Sequence, residues 1–179
     1  AQGFEAGGHR GAFDAANAEA QSVGLFSLVP RLADALRVPV IAAGGIADAR
    51  GVAAAIALGA AGVQVGSAYL LCPEAATGAI HRAALQSPAA QHTALTNLFS
   101  GRPARGIVNR LMRELGPLST QAPAFPLASA AIAPLRTAAE AQGSGDFSPL
   151  WAGQNIASCR PLPAAELTRE LAQGIGRSI

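Results

Sequence analysis

The stretch VPVIAAGGIADARGVAAAIALGAAGVQVGSAYL, residues 38–70, decides the fold. Its first part, VPVIAAGGI (38–46), is a short apolar run rich in β-branched residues, which suits a strand buried on both faces. Asp48 then stands where an N-cap belongs, and the alanine-rich segment from about 49 to 58 reads as a helix that Gly59 can end in left-handed geometry. GVQVGSAYL (62–70) follows, and its first half reads as a second buried strand. A helix joining two buried strands is a parallel βαβ unit.

Working outward, Ser27–Arg37 (SLVPRLADALR) carries apolar residues at 28, 29, 32, 33 and 36, one stripe of an amphipathic helix. Ser27 is its expected N-cap and Pro30 is expected in its first turn. A further helix is expected over roughly 74–86. The opening AQG (1–3) reads as the end of another strand. Alternating strands and helices leave a doubly wound sheet or a (β/α)₈ barrel as the α/β choices. The chain has no initiator methionine and starts where a strand should be ending, so it reads as the carboxyl-terminal part of a longer protein.

Beyond residue 87 the pattern changes. SGRPARGIVNRLMREL (100–115) reads as a turn feeding a helix, and QAPAFPLA (121–128) as a proline-broken connection. A helix is expected around 131–142, a loop over GSGDFSPLW (143–151), and a last helix from Pro163 to about 173. The expected division is therefore 1–86 for barrel strands and helices and 87–179 for a helical cover.

Bulk properties exclude several classes. Half of the 179 residues are hydrophobic and 13% are charged, below the roughly 25% usual in soluble domains; this favours a buried core over disorder. The net charge of +2 is too small to suggest nucleic acid. The cluster Arg102, Arg105, Arg110 and Arg113 lacks interleaved aromatics and reads as a surface helix and loop. Residues 51–73 are uncharged and long enough for a membrane span, but Gly59, Gly62, Gly66, Gln64 and Ser67 interrupt them. They read as a buried helix and strand. Two distant cysteines suggest neither a metal site nor a disulfide framework, and a reducing cytoplasm is the default.

In parallel α/β folds the loops leaving the carboxyl ends of strands carry the chemistry. Three such loops are expected here: GFEAGGHRG (3–11), AGGIAD (43–48) and GSAYL (66–70). Gly44-Gly45 and Gly66-Ser67 together have the form of a phosphate cradle, because glycines let backbone N–H groups approach oxygens and a hydroxyl adds a donor. Gly44 and Gly45 could equally serve only a turn. His9, following Gly7 and Gly8 on this rim, is a candidate base, since imidazole titrates near neutrality. His81 and His92 are expected to be solvated.

The blocks AQGFEAGGHRG, VPVIAAGGIADARGVAAAIALGAAGVQVGSAYL, SGRPARGIVNRLMREL and PLWAGQ, in this order, closely resemble the nitronate monooxygenase family, also called 2-nitropropane dioxygenases. The first two blocks are also similar to FMN-dependent enoyl-acyl-carrier-protein reductases. The resemblance implies the carboxyl-terminal part of a (β/α)₈ TIM barrel with an added helical region, and FMN as cofactor. Carried over by position, it implies that Gln2, Gly3 and Gly7 contact the flavin, and that Gly44, Gly45, Gln64, Val65, Gly66 and Ser67 hold its phosphate side. His9 becomes the catalytic base. Trp151 and Gln154 either line the pocket or are a core tryptophan and a surface glutamine. The implied reaction takes an alkyl nitronate and O2 to a carbonyl compound and nitrite, with no metal, nucleic acid or membrane. An NAD(P)H-dependent reductase on the same scaffold and a non-catalytic half-barrel are the alternatives, and half a barrel alone is expected to bind FMN poorly.

Overall fold

The computed structural model describes residues 1–15 and 17–176; the end of the expected cover, residues 177–179, lies outside the described residues. In chain order, β1 is Gly8–His9, α1 Leu25–Ala35, β2 Ile41–Ala43, α2 Ala49–Ala57 and β3 Gly62–Gln64. Then come α3 (Ala79–Leu85), β4 (Thr93–Thr96), β5 (Ala104–Ile107), α4 (Arg110–Leu115), α5 (Leu127–Glu140) and α6 (Ala164–Ala172). The chain forms two compact units: residues 1–6, 22–76 and 153–179 make the first, and residues 7–21 and 77–152 the second. The last helix, α6, belongs to the first unit.

The first unit contains the βαβ motif. β2 and β3 pair in parallel, with Ile41 opposite Gly62 and Ala43 opposite Gln64. Gln2 adds a parallel bridge to Ala43, so the opening stub is a third strand end beside them. α2 forms as its sequence dictates: the Asp48 carboxylate accepts from the N–H of Gly51 at 2.9 Å, and Gly59 stops the helix at φ 100°. One side of α2 packs through Ala55 against Leu25, Val29 and Ala42. One turn earlier, Val52 packs against Leu167 and Leu171 of α6. α6 lies where Pro163 announces it. Complete burial of a valine such as Val29 or Val52 contributes about 1.5–3 kcal/mol relative to exposure.

Three local expectations give way here. α1 starts at Leu25, not beyond Ser27, because Gly24 is the N-cap and the Glu5 carboxylate, twenty residues earlier, accepts the Leu25 N–H at 3.1 and 3.2 Å. Pro30 consequently falls inside the helix. The strands are also less enclosed than a two-face-buried sheet requires: Ile41 is 44% exposed and Gln64 is exposed. The apolar stretch 51–73 does resolve into a helix and a short strand. Among the described residues no helix is long and apolar enough to cross a membrane.

The second unit is not purely helical. β1, β5 and β4 form an antiparallel sheet in that order, with His9 opposite Ala104 and Leu95 opposite Arg105. Trp151 bridges to Gly106 on β5. Leu98, Phe99, Leu111 and Met112 form the core beneath it. Asn109 caps α4 by accepting from Met112 N–H at 3.3 Å, and its amide donates to the carbonyls of Gly145 and Ser148, both at 3.0 Å. One side chain thus starts a helix and anchors the 143–151 loop. The surface reading of the arginine cluster fails at Arg105, which is 1% exposed and donates to the carbonyl and hydroxyl of Thr93. Arg110 and Arg113 are exposed as expected.

Candidate active site

The first unit presents three strand ends side by side, at Gln2, Ala43 and Gln64. The loops leaving the last two are those the sequence marks for a phosphate. Gly44 and Gly45 have positive φ, 125° and 67°. A Cβ on Gly44 would lie 2.9 Å from the Ala6 nitrogen and 3.1 Å from its Cβ. Close packing of two loops therefore suffices to require glycine at 44. Gly3 is explained in the same manner: it is buried, a Cβ there would overlap the Glu5 carboxylate and Leu25, and its N–H donates to Ala43 O at 2.8 Å.

Gly66 is different. Its φ is −111°, and a Cβ there would meet nothing within 4 Å. Among the described residues no neighbour demands a glycine there, and the approach to the Val65–Ser67 backbone is open. No described residue accepts a hydrogen bond from the N–H of Gly45 or Ile46. The Ser67 hydroxyl oxygen accepts from Gly153 N–H at 2.9 Å, which keeps its own proton available to donate. Open backbone donors and a hydroxyl fit the phosphate of a mononucleotide.

The 153–155 segment is sewn to the same loops. Gln154 N–H donates to Glu5 O at 2.9 Å, and the Asn155 amide donates to Gly45 O at 2.8 Å. Behind the Gly44-Gly45 turn is a cavity of about 360 Å³, lined in part by Glu5, Leu25, Ile46, Gln154 and Asn155. Gln154 is exposed. Asn155 is a loop-holding residue that the sequence reading passed over; its signal was only its place after the WAGQ block.

In the second unit His9 sits at the end of β1, where Gly7 and Gly8 lead into it. Its Nε2 lies 2.8 Å from Ser100 Oγ. That hydroxyl is also 3.2 Å from the Arg102 carbonyl, to which it can donate, and accepts from Arg102 N–H at 3.3 Å. With the His9 proton on Nε2, Ser100 accepts it while turning its own proton to the Arg102 carbonyl, whether or not the second ring nitrogen is protonated. Both charge states of a base are supported by one residue.

Aromatic rings stand around the imidazole. Trp151 is 5.5 Å from it centre to centre, Phe125 is 6.4 Å away edge-on, and Phe99 meets Trp151 at 5.7 Å. Partial burial, then the nearby Arg102 charge, push the His9 pKa below its ordinary value. The ring is thus neutral near pH 7 and able to take a proton. Trp151 is half-buried, flanks the His9 ring and also packs on the core.

His81 is not solvated as expected. It is half-buried on α3 and its Nε2 donates to the Trp151 carbonyl at 3.0 Å. Burial lowers its pKa, with that hydrogen bond opposing. His92 is exposed. Ser100, Arg102 and Phe125 were missed as site residues; the sequence signal was the compact SGR turn, which the fold brings to His9 through β5.

The fold and these two residue sets define an α/β protein with an anion-ready group of strand ends and a neutral, aromatic-flanked histidine. Comparison with known proteins then places the chain. The family model described as "Nitronate monooxygenase" matches residues 1–174, and the chain belongs to that family. It is 48% identical to a nitronate monooxygenase of Pseudomonas aeruginosa, over 97% of this chain and 49% of that protein. Among solved structures, nitroalkane oxidase from Streptomyces ansochromogenes matches with TM-score 0.89 and 42% identity, over 98% of this chain and 50% of that one. FabK from Thermotoga maritima matches at TM-score 0.71 and 26% identity, over 97% and 52% respectively. The chain spans about half the length of these relatives.

Proposed function

We propose that the protein carrying this chain is an FMN-dependent nitronate monooxygenase, which converts alkyl nitronates, with O2, to carbonyl compounds and nitrite. The observation that carries the reading is His9: a neutral imidazole on Ser100, between aromatic rings, in a chain of this family. The strand ends at Gln2, Ala43 and Gln64 then belong to a (β/α)₈ barrel, whose phosphate-binding loops follow late strands. Cys72 and Cys159 are not joined in a disulfide, which accords with a reducing cytoplasm.

In this reading Gly44, Gly45, Gln64, Val65, Gly66 and Ser67 hold the phosphate side of FMN, and Gln2, Gly3 and Gly7 contact the flavin. The open Gly66 backbone and the Ser67 hydroxyl support that assignment. FMN would supply the electron acceptance that a protein side chain cannot. His9 takes the α-proton when the substrate arrives as a neutral nitroalkane, and Ser100 supports the ring before and after. Trp151 and Phe125 flank the reacting carbon and orient it. General-base help of this kind contributes about 10²–10⁴ in rate.

The test is oxygen uptake and nitrite release with propyl-2-nitronate and with 2-nitropropane, for the full-length protein and its His9→Gln variant. Loss of the nitroalkane reaction with flavin retained supports the assignment; full activity in the variant removes His9 from it. A second reading is an NAD(P)H-dependent quinone or enoyl-thioester reductase, favoured by the blocks shared with enoyl-acyl-carrier-protein reductases. Anaerobic bleaching of bound flavin by NADH is its signature. A non-catalytic half-barrel is the third, and it predicts no turnover in either assay.

A further inference from the structure

Arg102 is placed for more than structure. Its guanidinium carbon lies 5.9 Å from the Phe125 ring centre, and the same ring is 6.4 Å from the His9 imidazole. Its backbone N–H and carbonyl both meet the Ser100 hydroxyl that holds His9. Nη2 donates to Ala12 O at 2.7 Å, a bond that uses one of five N–H groups. Among the described residues no carboxylate forms an ion pair with Arg102. A half-buried cation thus stands beside a candidate base without a counter-charge.

A positive charge there opposes protonation of His9, so it costs the base some proton affinity. It is useful where the bound group is an anion. We propose that Arg102 is the anion-binding residue of the His9 pocket, taking the two oxygens of a planar, anionic substrate group while Phe125 and Trp151 flank its carbon substituents. A nitronate has that shape, and to this extent the inference rests on the function proposed above. Guanidinium donors pair with two-oxygen planar anions side by side.

The same placement assists proton removal from a nitroalkane. The C–H proton goes to an imidazole nitrogen of His9, and the C–H electron pair becomes the C=N bond. Negative charge then collects on the nitro oxygens beside Arg102. The guanidinium thus stabilises the product of deprotonation more than the neutral substrate, which is what a catalytic contact requires.

The test compares the full-length holoenzyme with Arg102→Met, which keeps an apolar stem against Phe125, and Arg102→Lys, which keeps the charge. For propyl-2-nitronate, KM is expected to rise about 10- to 100-fold in the Met variant with kcat changed much less, and the Lys variant is expected to recover part of the loss. The apparent pKa of His9 in the pH profile should rise when the charge is removed. Binding is measured separately through the His9 imidazole NMR resonances, using isobutyrate as the carboxylate probe and isobutyramide as its neutral counterpart. This arm needs no turnover, so an enzyme with no nitronate activity fails the function proposed above and still reports on Arg102. Isobutyrate binding at least about tenfold tighter than the amide in the wild type, weakened in the Met variant, is the expected result. Equal affinities for the two probes, or an unchanged isobutyrate affinity in a folded Met variant, overturns the proposal. Should the Met variant not fold, the wild-type comparison of the two probes decides.

Discussion

Gly44 and Gly66 are both glycines on anion-ready loops, yet the structure demands one and leaves the other unexplained. Replacing Gly44 by alanine puts an L residue at φ 125°, where about 1–3 kcal/mol of strain is stored. It also forces a methyl to 2.9 Å from the Ala6 nitrogen and 3.1 Å from its Cβ, an overlap with backbone that costs a further 1–3 kcal/mol or so. Gly44→Ala should therefore destabilise the protein by about 2–6 kcal/mol. Gly66→Ala meets no atom within 4 Å at an ordinary negative φ, so its cost should stay within about 0.5 kcal/mol. Urea denaturation of the full-length apoprotein, extrapolated to zero denaturant, separates the two. FMN titration of the same variants then reads the other half: Gly66→Ala should weaken flavin binding with stability intact, because the methyl enters the open approach to the loop. Equal stability losses at the two positions would refute the division into a packing glycine and a ligand glycine.

Further outcomes follow from individual residues. Asp48→Ala should cost about 1 kcal/mol by removing the cap of α2; its exposed pairing with Arg50 adds little, and the loss should appear in the same urea curves. Partial burial works against the Asp48 charge, but the Gly51 N–H and Arg50 hold its pKa below the usual range. His9 and His81 both have lowered pKa values in the folded state, so the unfolded chain binds more protons below the ordinary value of 6.5. Stability is at its full value above that pH and falls as pH drops through the window down to the folded values. His81→Gln should flatten this slope below the ordinary imidazole value, and an unchanged slope removes His81 from it. Ser100→Ala should lower nitroalkane turnover more than nitronate turnover, because only the former needs His9 to change charge; equal losses would make Ser100 a packing residue.

What was legible in the sequence was what local chemistry decides. Asp48 and Gly59 bound α2 through contacts within one turn, and Pro163 opens α6 in the same manner. The glycine loops and His9 stood out because side-chain-free residues beside a titratable ring are locally unusual. What was not legible depends on distant partners. Ser27 lost the cap position because a carboxylate twenty residues upstream already serves Leu25 N–H. β5 was read as a turn because its identity comes from pairing with Thr93–Thr96 across the 97–103 loop and with His9 and Trp151, which are far from it in sequence. Arg105 followed from the same miss: charge suggested surface, whereas the sheet buries it. Ser100, Arg102 and Phe125 became site residues only once β5 carried them to β1.

The central claim is that His9 acts on a nitronate or its conjugate nitroalkane. One measurement reads it most directly: oxygen consumption and nitrite release by the full-length flavoprotein given propyl-2-nitronate, beside a second cuvette given NADH and a quinone. Turnover with nitrite in the first, and loss of the 2-nitropropane reaction in His9→Gln, is the expected result. Turnover confined to the second cuvette would contradict it and move the same loops and histidine to a reductase.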